Sequence, residues 1–201
     1  AEPAAPRLAE LPKLIDHERR ATDITEAAWR VLVRDGAKAV SVRNVAAEAG
    51  LATASLRRAF PTQDALLAGC LELLGERARR RIGALPHKRG TQAWALAALA
   101  ETMPLDDARR VEMEVYLTLG TAALTDPALR TAHARIDGGL EGLCTTVVDS
   151  LLPTTRRRQR AREVRHLHAL LDGLALHVLL GMDAREALGV LKAHLESLRR
   201  V

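Results

Sequence analysis

Apolar residues recur three or four positions apart along most of this chain, which is the spacing of one face of an α-helix. In the first such segment, from about residue 17 to 34, Ile24, Val31 and Leu32 follow this spacing, and Gly36 marks its end. No segment shows the strict alternation of apolar and polar residues that is typical of a half-buried strand. The pattern therefore predicts an all-α protein of about nine helices.

Capping residues, glycines and prolines set the boundaries of the other predicted helices. Six of these are expected over residues 41–50, 53–60, 62–83, 91–102, 105–124 and 126–151, and two more follow towards the C-terminal end. The clearest linker is the stretch ALPHKRGTQ, which carries proline, glycine and charge. We therefore expect a flexible tail over residues 1–16, one domain over 17–83 and a second over 84–201.

Two apolar seams near the C-terminal end have the most regular spacing in the chain. The first seam consists of Val164, Leu167, Leu171, Leu174 and Val178. The second seam consists of Leu188, Leu191, Leu195 and Leu198. Two parallel seams at the end of a chain have few partners left within it. We therefore expect both to pair with a second copy in a four-helix, isologous dimer interface.

The stretch AEAGLATASLRRAFPTQDALL interrupts two helices within a few residues. Gly50 ends one helix and a proline ends the next, and two helices joined by such a turn form a helix-turn-helix, whose second helix enters the DNA major groove. Thr53 and Ser55 are small enough for close approach, while Arg57 and Arg58 can neutralise phosphates or bind guanine. The alternative is an ordinary helical corner with a solvated arginine face.

Composition favours a globular helical protein in a reducing compartment. Hydrophobic residues make up 48% of the chain but aromatic residues only 2%, so the core consists mainly of Leu, Val and Ala. Cys70 and Cys144 form no CxxC pair, which favours the cytoplasm. No apolar run approaches the roughly 18–20 residues that a membrane span requires, and the first residues lack the order of a signal peptide. We expect no membrane partner.

The whole excess of positive over negative charge lies in the first ninety residues. They contain 16 Lys and Arg against 11 Asp and Glu, whereas residues 91–201 contain 14 of each. A basic module joined to a neutral one suggests that the first binds a polyanion. A solvated surface with a chance imbalance would give the same count.

The segment GAKAVSVRNVAAEAGLATASLRRAFPTQDALL, residues 36–67, resembles the TetR family of bacterial transcriptional regulators. The shared features are a glycine, a Ser cap followed by Val and Arg, an AG turn, an aromatic residue before proline, and an acidic residue before ALL. HALLDGLALHVLL, residues 168–180, is similar to a subgroup with a choline-regulator-like C-terminal domain. The chain departs from the family at Arg57, where Tyr is usual, and at Gln63, where Lys is usual.

The resemblance implies a DNA-binding surface and a double-stranded operator as partner. Its expected residues are Ser41, Arg43, Thr53, Ala54, Ser55, Arg57, Arg58, Thr62 and Gln63. Ser41 and Arg43 would contact phosphate at a helix N-terminus. A further group, Arg19, Arg20 and Thr22, either contacts DNA or forms a solvated helical turn.

The resemblance also implies a small-molecule effector in the second domain. The candidate lining residues are Trp94, Met103, Met113, Tyr116, Leu117 and Cys144. Aromatic and methionine side chains suit adaptable pockets, although helical spacing favours a core position for each of these residues taken singly. We expect Trp94 or Tyr116 to line a cavity of about 300 Å3 or more.

The remaining polar residues predict neither catalysis nor a metal or cofactor. His166, His168, Asp172 and His177 share one helix but do not converge on one face of it. No HExxH, GxSxG, P-loop or GxGxxG motif occurs in the sequence.

The sequence therefore predicts a homodimeric, ligand-responsive DNA-binding regulator, in which an effector shifts the population between two states. The alternative from another class is a helical ligand-binding or assembly protein whose helix-turn-helix does not bind DNA. A helical enzyme would require convergent acid and base residues that the pattern lacks.

Overall fold

The computed structural model describes residues 11–86, 88–152 and 159–200, and over these ranges it contains nine α-helices, one short 3-10 turn and no strand. The prediction of an all-α fold is confirmed. None of the helices in these ranges is both long and apolar enough to cross a membrane.

The helices follow the predicted order closely. They are α1 Leu11–Asp35, α2 Val42–Glu48, α3 Thr53–Ala59, α4 Gln63–Gly83, α5 Gln92–Ala100, α6 Asp107–Ala123, α7 Pro127–Leu151, α8 Arg160–Leu179 and α9 Ala184–Arg200. The 3-10 turn, Ala37–Ala39, was not predicted. Helix α1 begins at Leu11, so residues 11–16 of the predicted tail are helical, and residues 1–10 lie outside the described ranges.

Side-chain caps explain where several helices begin. The Ser41 hydroxyl accepts a hydrogen bond from the Asn44 amide at 3.2 Å, which satisfies one of the unpaired amides of α2. Asp126 caps α7 in the same way, accepting from the Ala128 amide at 2.9 Å, and Pro127 occupies the first turn. Other caps are provided by Thr91 at α5, Asp106 at α6 and Asp183 at α9.

The chain forms two compact units, one up to Leu73 and the other from Leu74 onwards. The division lies inside α4, whereas the composition of residues 84–92 places the boundary after that helix. Because α4 continues through the division, it contributes residues to both units.

The core of the first unit joins α1, α2, α3 and α4. Its largest fully buried side chains include Ile24, Leu32, Leu56, Leu66 and Leu71. The indole nitrogen of Trp29 donates to the Cys70 carbonyl at 3.2 Å and so ties α1 to α4. Burial raises the pKa of the Cys70 thiol to about 12, which keeps the thiol protonated and unreactive.

The core of the second unit contains the two seams, and this corrects the expected dimer interface. Eight seam residues are buried by their own chain: Val164, Leu167, Leu171, Leu174, Val178, Leu191, Leu195 and Leu198. Leu188 is partly buried. The premise that the seams lack partners within the chain is wrong, because α5 and α7 pack against α8 and α9. Side chains that are already buried leave no apolar area for a second copy.

Candidate functional site

The turn between α2 and α3 is set by a glycine in the left-handed region. Gly50 has φ of 65°, a conformation that costs an L-residue with a side chain. Its amide donates to the Ala47 carbonyl at 3.2 Å, and the Leu51 amide donates to the Ala46 carbonyl at 2.9 Å. This pair of bonds is a Schellman motif, which ends α2 and turns the chain into α3.

Helix α3 presents a polar face to solvent. Leu56 is fully buried and anchors the helix to the first unit. The predicted groove-facing residues Thr53, Ala54, Arg57 and Arg58 are exposed, and Ser55 is partly exposed. Among these residues, the guanidinium groups of Arg57 and Arg58 make no hydrogen bond or ion pair with the described part of the chain. The face is therefore short, basic and accessible.

The other predicted DNA-binding residues flank this face on neighbouring helix ends. Ser41 caps α2, and Arg43 is exposed one turn into that helix. Thr62 caps α4 by accepting from the Ala65 amide at 3.0 Å, and Gln63 is exposed beside it. Arg19 and Arg20 are also exposed, whereas Thr22 is only partly so.

Helix α3 ends before Phe60 and Pro61, and the Phe60 side chain packs closely on α4. A Cβ atom added at Gly69 would lie 2.7 Å from Cε1 of Phe60, so only glycine allows this approach.

Two arginines of α1 fix the other side of the helix-turn-helix. Arg30 donates to Glu48 at 2.8 Å and Arg34 at 3.0 Å, and these bonds lower the pKa of Glu48.

The second unit contains a partly open cavity of about 750 Å3. It is lined by residues from the C-terminal part of α4, from the linker that follows α4, and from α5, α6, α7 and α8. Trp94 and Tyr116 both contribute to the lining, so the prediction that at least one of them borders a cavity is confirmed. This volume suits a small organic molecule.

Four of the six candidate effector residues line the cavity, namely Trp94, Met103, Met113 and Tyr116. Leu117 and Cys144 are not among the lining residues. Cys144 is fully buried in the core, and its pKa is raised to about 12, chiefly by that burial. Helical spacing could not distinguish the lining residues from Leu117 and Cys144, since neighbouring residues of one helix contact different partners.

One charged feature of the cavity is the arginine–glutamate network, which consists of Arg81, Glu101, Arg109 and Glu112. Arg81 binds both carboxylate oxygens of Glu112, at 2.9 and 2.7 Å, and also donates to a Glu101 carboxylate oxygen at 2.9 Å. Arg109 reaches the same Glu101 oxygen at 3.3 Å. The hydrogen bonds with Glu112 raise the pKa of Arg81, so the network is ionised and internally neutralised.

A second charged feature, the acid–imidazole cluster, consists of Tyr116, His133, Asp137, His168 and Asp172. The His168 Nε2 atom lies 3.4 Å from an Asp137 oxygen and 3.9 Å from an Asp172 oxygen. The Tyr116 hydroxyl donates to the same Asp137 oxygen at 3.5 Å, and its ring stacks on His133 with centroids 4.6 Å apart. Tyr116 and Asp172 also line the cavity.

Sequence reasoning found only part of this cluster. It considered His168 and Asp172 on α8 but missed His133 and Asp137 on α7. A signal was present, because both pairs have the spacing His-x-x-x-Asp, which places the two side chains on one face of a helix. Along the described ranges, no group of three or more His, Cys, Asp or Glu side chains is arranged to hold a metal ion.

The chain matches known proteins over both units. Residues 24–70 match the model of bacterial regulatory proteins of the tetR family, and residues 91–200 match the C-terminal model of BetI-type transcriptional repressors. The HTH-type transcriptional regulator PksA of Bacillus subtilis strain 168 is 36% identical over 177 residues, which cover 85% of this chain and 83% of PksA.

Two solved structures illustrate the likeness. The multidrug binding protein EbrR complexed with ethidium is 32% identical, with a TM-score of 0.61, and the match covers 87% of this chain and 98% of EbrR. A transcriptional regulator from Rhodococcus sp. Rha1 is 24% identical with a TM-score of 0.75, covers 90% of this chain and 96% of its own, and shows the shared fold. Because the family models span the helix-turn-helix and the C-terminal helices alike, the chain belongs to the TetR family of bacterial transcriptional regulators.

Proposed function

We propose that this transcriptional regulator is a cytoplasmic repressor that binds a palindromic operator as a homodimer and is released by a small organic effector, without a catalytic step of its own. The observation that carries the proposal is the exposed, basic face of α3, held by buried Leu56 and by the Gly50 turn. Two such faces about one helical turn of DNA apart, roughly 34–36 Å, would enter successive major grooves.

The residues of α3 supply two kinds of DNA contact. Arg57 and Arg58 provide the charge that binds phosphate or guanine, while Thr53 and Ala54 leave room for the base edges. Arg57 stands where the family usually has a tyrosine, so it replaces a hydroxyl donor with a charge. Gln63 brings no charge where a lysine is usual, and Ser41 and Arg43 remain for the phosphates beside α2.

The test is operator binding by variants that differ only in where an arginine is removed. Arg58→Ala should weaken operator binding at least about fivefold at fixed salt, the scale of one base or phosphate contact. Arg185→Ala removes another exposed arginine, from α9, and should leave the affinity unchanged. Fluorescence anisotropy with labelled operator measures both, and equal affinities would refute the DNA role of α3.

The cavity of the second unit is the proposed effector site. Its volume of about 750 Å3 and its lining by Trp94, Met103, Met113 and Tyr116 support this assignment. The EbrR relative, which is complexed with ethidium, lends further support because its likeness extends over the C-terminal helices. An effector that binds one arrangement of the helices better than the other would shift the population away from the operator-binding state.

The proposed dimer surface is the outward face of α8 and α9 rather than the buried seams. Leu176, Leu180 and Val190 are large apolar residues that remain exposed there, at 44%, 77% and 40% of their surface. Ala169 and Gly173 continue the same stripe of α8, and such small residues allow helices to approach closely.

Replacing Leu176 and Leu180 together with Glu should yield a folded monomer, because the new carboxylates would be buried without partners in the dimer. The matched control is Leu124→Glu, which places the same charge on a leucine that is 75% exposed elsewhere. Sedimentation velocity distinguishes the two, and a Leu176/Leu180 variant that still sediments as a dimer would place the interface on another surface.

A further inference from the structure

The acid–imidazole cluster places one carboxylate, Asp172, in the lining of the cavity and a second, Asp137, beside the same His168 nitrogen, and neither has an arginine or lysine partner among the residues described. Asp137 and Asp172 each form an ion pair with His168 only, among the residues described. A histidine side chain, unlike that of arginine, is not a permanent cation. The His168 Nε2 atom is buried and makes no hydrogen bond within the described chain, so the contact at 3.4 Å lacks the alignment of one.

The other carboxylates that line the cavity are already neutralised. Glu112 is held by both branches of the Arg81 guanidinium, and Glu101 lies between Arg81 and Arg109. A ligand gains little by approaching charges that are already paired. The uncompensated negative charge of the cavity is therefore confined to the acid–imidazole cluster.

We propose that the effector is an organic cation, whose charged group binds at Asp172, with Asp137 beside the same imidazole, and whose apolar body fills the cavity. The inference rests on the proposed effector role of this cavity and adds the chemical class of the ligand. A charged nitrogen or phosphorus centre would face the Asp172 carboxylate, and the Tyr116 ring would supply a π-face beside it. Met113, Leu140 and Leu171, which also line the cavity, would contact the body of the ligand.

The cavity also has arginines, but their positions favour the cation. Arg79 and Arg89 line it and, like Asp172, are exposed to solvent. Arg89 lies over the Trp94 ring, 5.8 Å from its centroid, which gives it a partner. The carboxylate of Asp172 is less well compensated, since burial and the neighbouring Asp137 both raise its pKa. A bound cation would stabilise the ionised form of this carboxylate.

The test compares two probes of similar shape and opposite charge, tetraphenylphosphonium and tetraphenylborate. Their binding to the full-length protein is measured by isothermal titration calorimetry at neutral pH, first with the wild type and then with Asp172→Asn and Asp137→Asn. Each substitution should weaken phosphonium binding at least about tenfold, the effect of losing one charge-assisted contact. Neither should weaken borate binding.

The matched control is Glu141→Gln, which removes a carboxylate from α7 at an exposed position that has no ion pair within the described chain. Its affinity for the phosphonium should stay within about twofold of the wild type, as for a screened surface charge. Circular dichroism confirms that each variant is folded, and two independent substitutions keep the test valid if one of them fails to fold.

The proposal is overturned if the wild type does not bind the phosphonium, or if both Asp variants bind it as the wild type does. An equal loss of affinity for both probes would also overturn it, because that result indicates a structural effect. A parallel operator-release assay separates this inference from the proposed function. Phosphonium that binds through Asp172 without releasing operator supports the cation site and refutes the effector role. Release of operator by neutral compounds, with no phosphonium binding, supports the effector role and refutes the cation site.

Discussion

The arginine–glutamate network and the acid–imidazole cluster each contribute side chains to the lining of the same cavity, yet their carboxylates are neutralised to different degrees. In the network, Glu112 is only 6% exposed and its two oxygens receive two short hydrogen bonds from Arg81. In the cluster, Asp137 and Asp172 keep about half of their side-chain surface, and within the described residues each has only the His168 imidazole as an ion-pair partner. The more deeply buried carboxylate is therefore the fully matched one.

This difference suggests a division of labour between structure and recognition. A buried carboxylate needs a permanent cation with good geometry, because its desolvation cost is large. Such a pair stabilises the fold, and its carboxylate can bind a ligand only if the ion pair breaks. A half-exposed carboxylate beside imidazole costs less to maintain and retains unused acceptor capacity. We therefore expect the network to govern stability and the cluster to govern ligand binding.

The largest expected effect is the loss of stability when Arg81 is removed. Arg81→Met would leave Glu112 buried without a cation, whereas Glu101 would keep Arg109. We expect the free energy of unfolding to fall by about 3 kcal/mol, as for other broken buried pairs. The control is Arg80→Met, because Arg80 and Glu76 form an exposed pair whose loss should cost less than about 0.5 kcal/mol.

A second substitution tests whether the cost comes from the unpaired carboxylate. In the double variant Arg81→Met, Glu112→Leu, the buried charge is gone and an apolar side chain fills its place. At least half of the lost stability should return, because replacing a whole buried pair is often close to neutral. Urea unfolding followed by circular dichroism, at one fixed protein concentration, measures all variants. A double variant as unstable as Arg81→Met would show that Arg81 acts through packing or through Glu101 instead.

The sequence predicts local structure well where a single residue determines it. Ser41, Gly50 and Asp126 mark helix boundaries by caps and turns that act over three or four residues, and the structure has all three in these roles. The helix-turn-helix could be recognised for the same reason, since its geometry depends on one short stretch of chain.

Long-range pairing was harder to predict, as the two seams show. The spacing of Leu167, Leu171 and Leu174 establishes an apolar face but does not say which helix covers it. In the structure, α7 and α9 of the same chain supply that cover. The choice between an internal partner and a second copy depends on which other helices the folded chain brings to this face, and no local pattern encodes it.

The cavity could be predicted better than the long-range helix pairing but less well than the helix boundaries. Trp94 and Tyr116 could be chosen because aromatic residues are rare in this chain, and both line the cavity. The acid–imidazole cluster could not be assembled from one helix, because Asp137 and His168 belong to different helices that meet only in the folded protein. Its trace in the sequence is the repeated spacing of His133 with Asp137 and His168 with Asp172.

The smallest expected effect is the pH-dependent stability of Asp172→Asn. Burial and Asp137 raise the pKa of Asp172 above its ordinary value of 3.8, while His168 and His133 act against the shift. A carboxyl whose pKa is raised in the folded state binds its proton more tightly there, so the ionised form destabilises the fold. The destabilisation is absent well below the ordinary pKa, grows as the pH rises from the ordinary pKa to the raised pKa, and is complete above the raised pKa.

Asparagine lacks this titration. Asp172→Asn should therefore match the wild type at low pH and become more stable than the wild type at neutral pH, by less than about 0.5 kcal/mol, since the carboxylate is half exposed. The control Glu141→Gln should show no such trend with pH. Urea unfolding of the three proteins across pH 3 to 7, roughly the range over which carboxyl groups ionise, measures the difference. If Asp172→Asn is instead less stable than the wild type at neutral pH, His168 compensates Asp172 as fully as Arg81 compensates Glu112, and the contrast between the two features disappears.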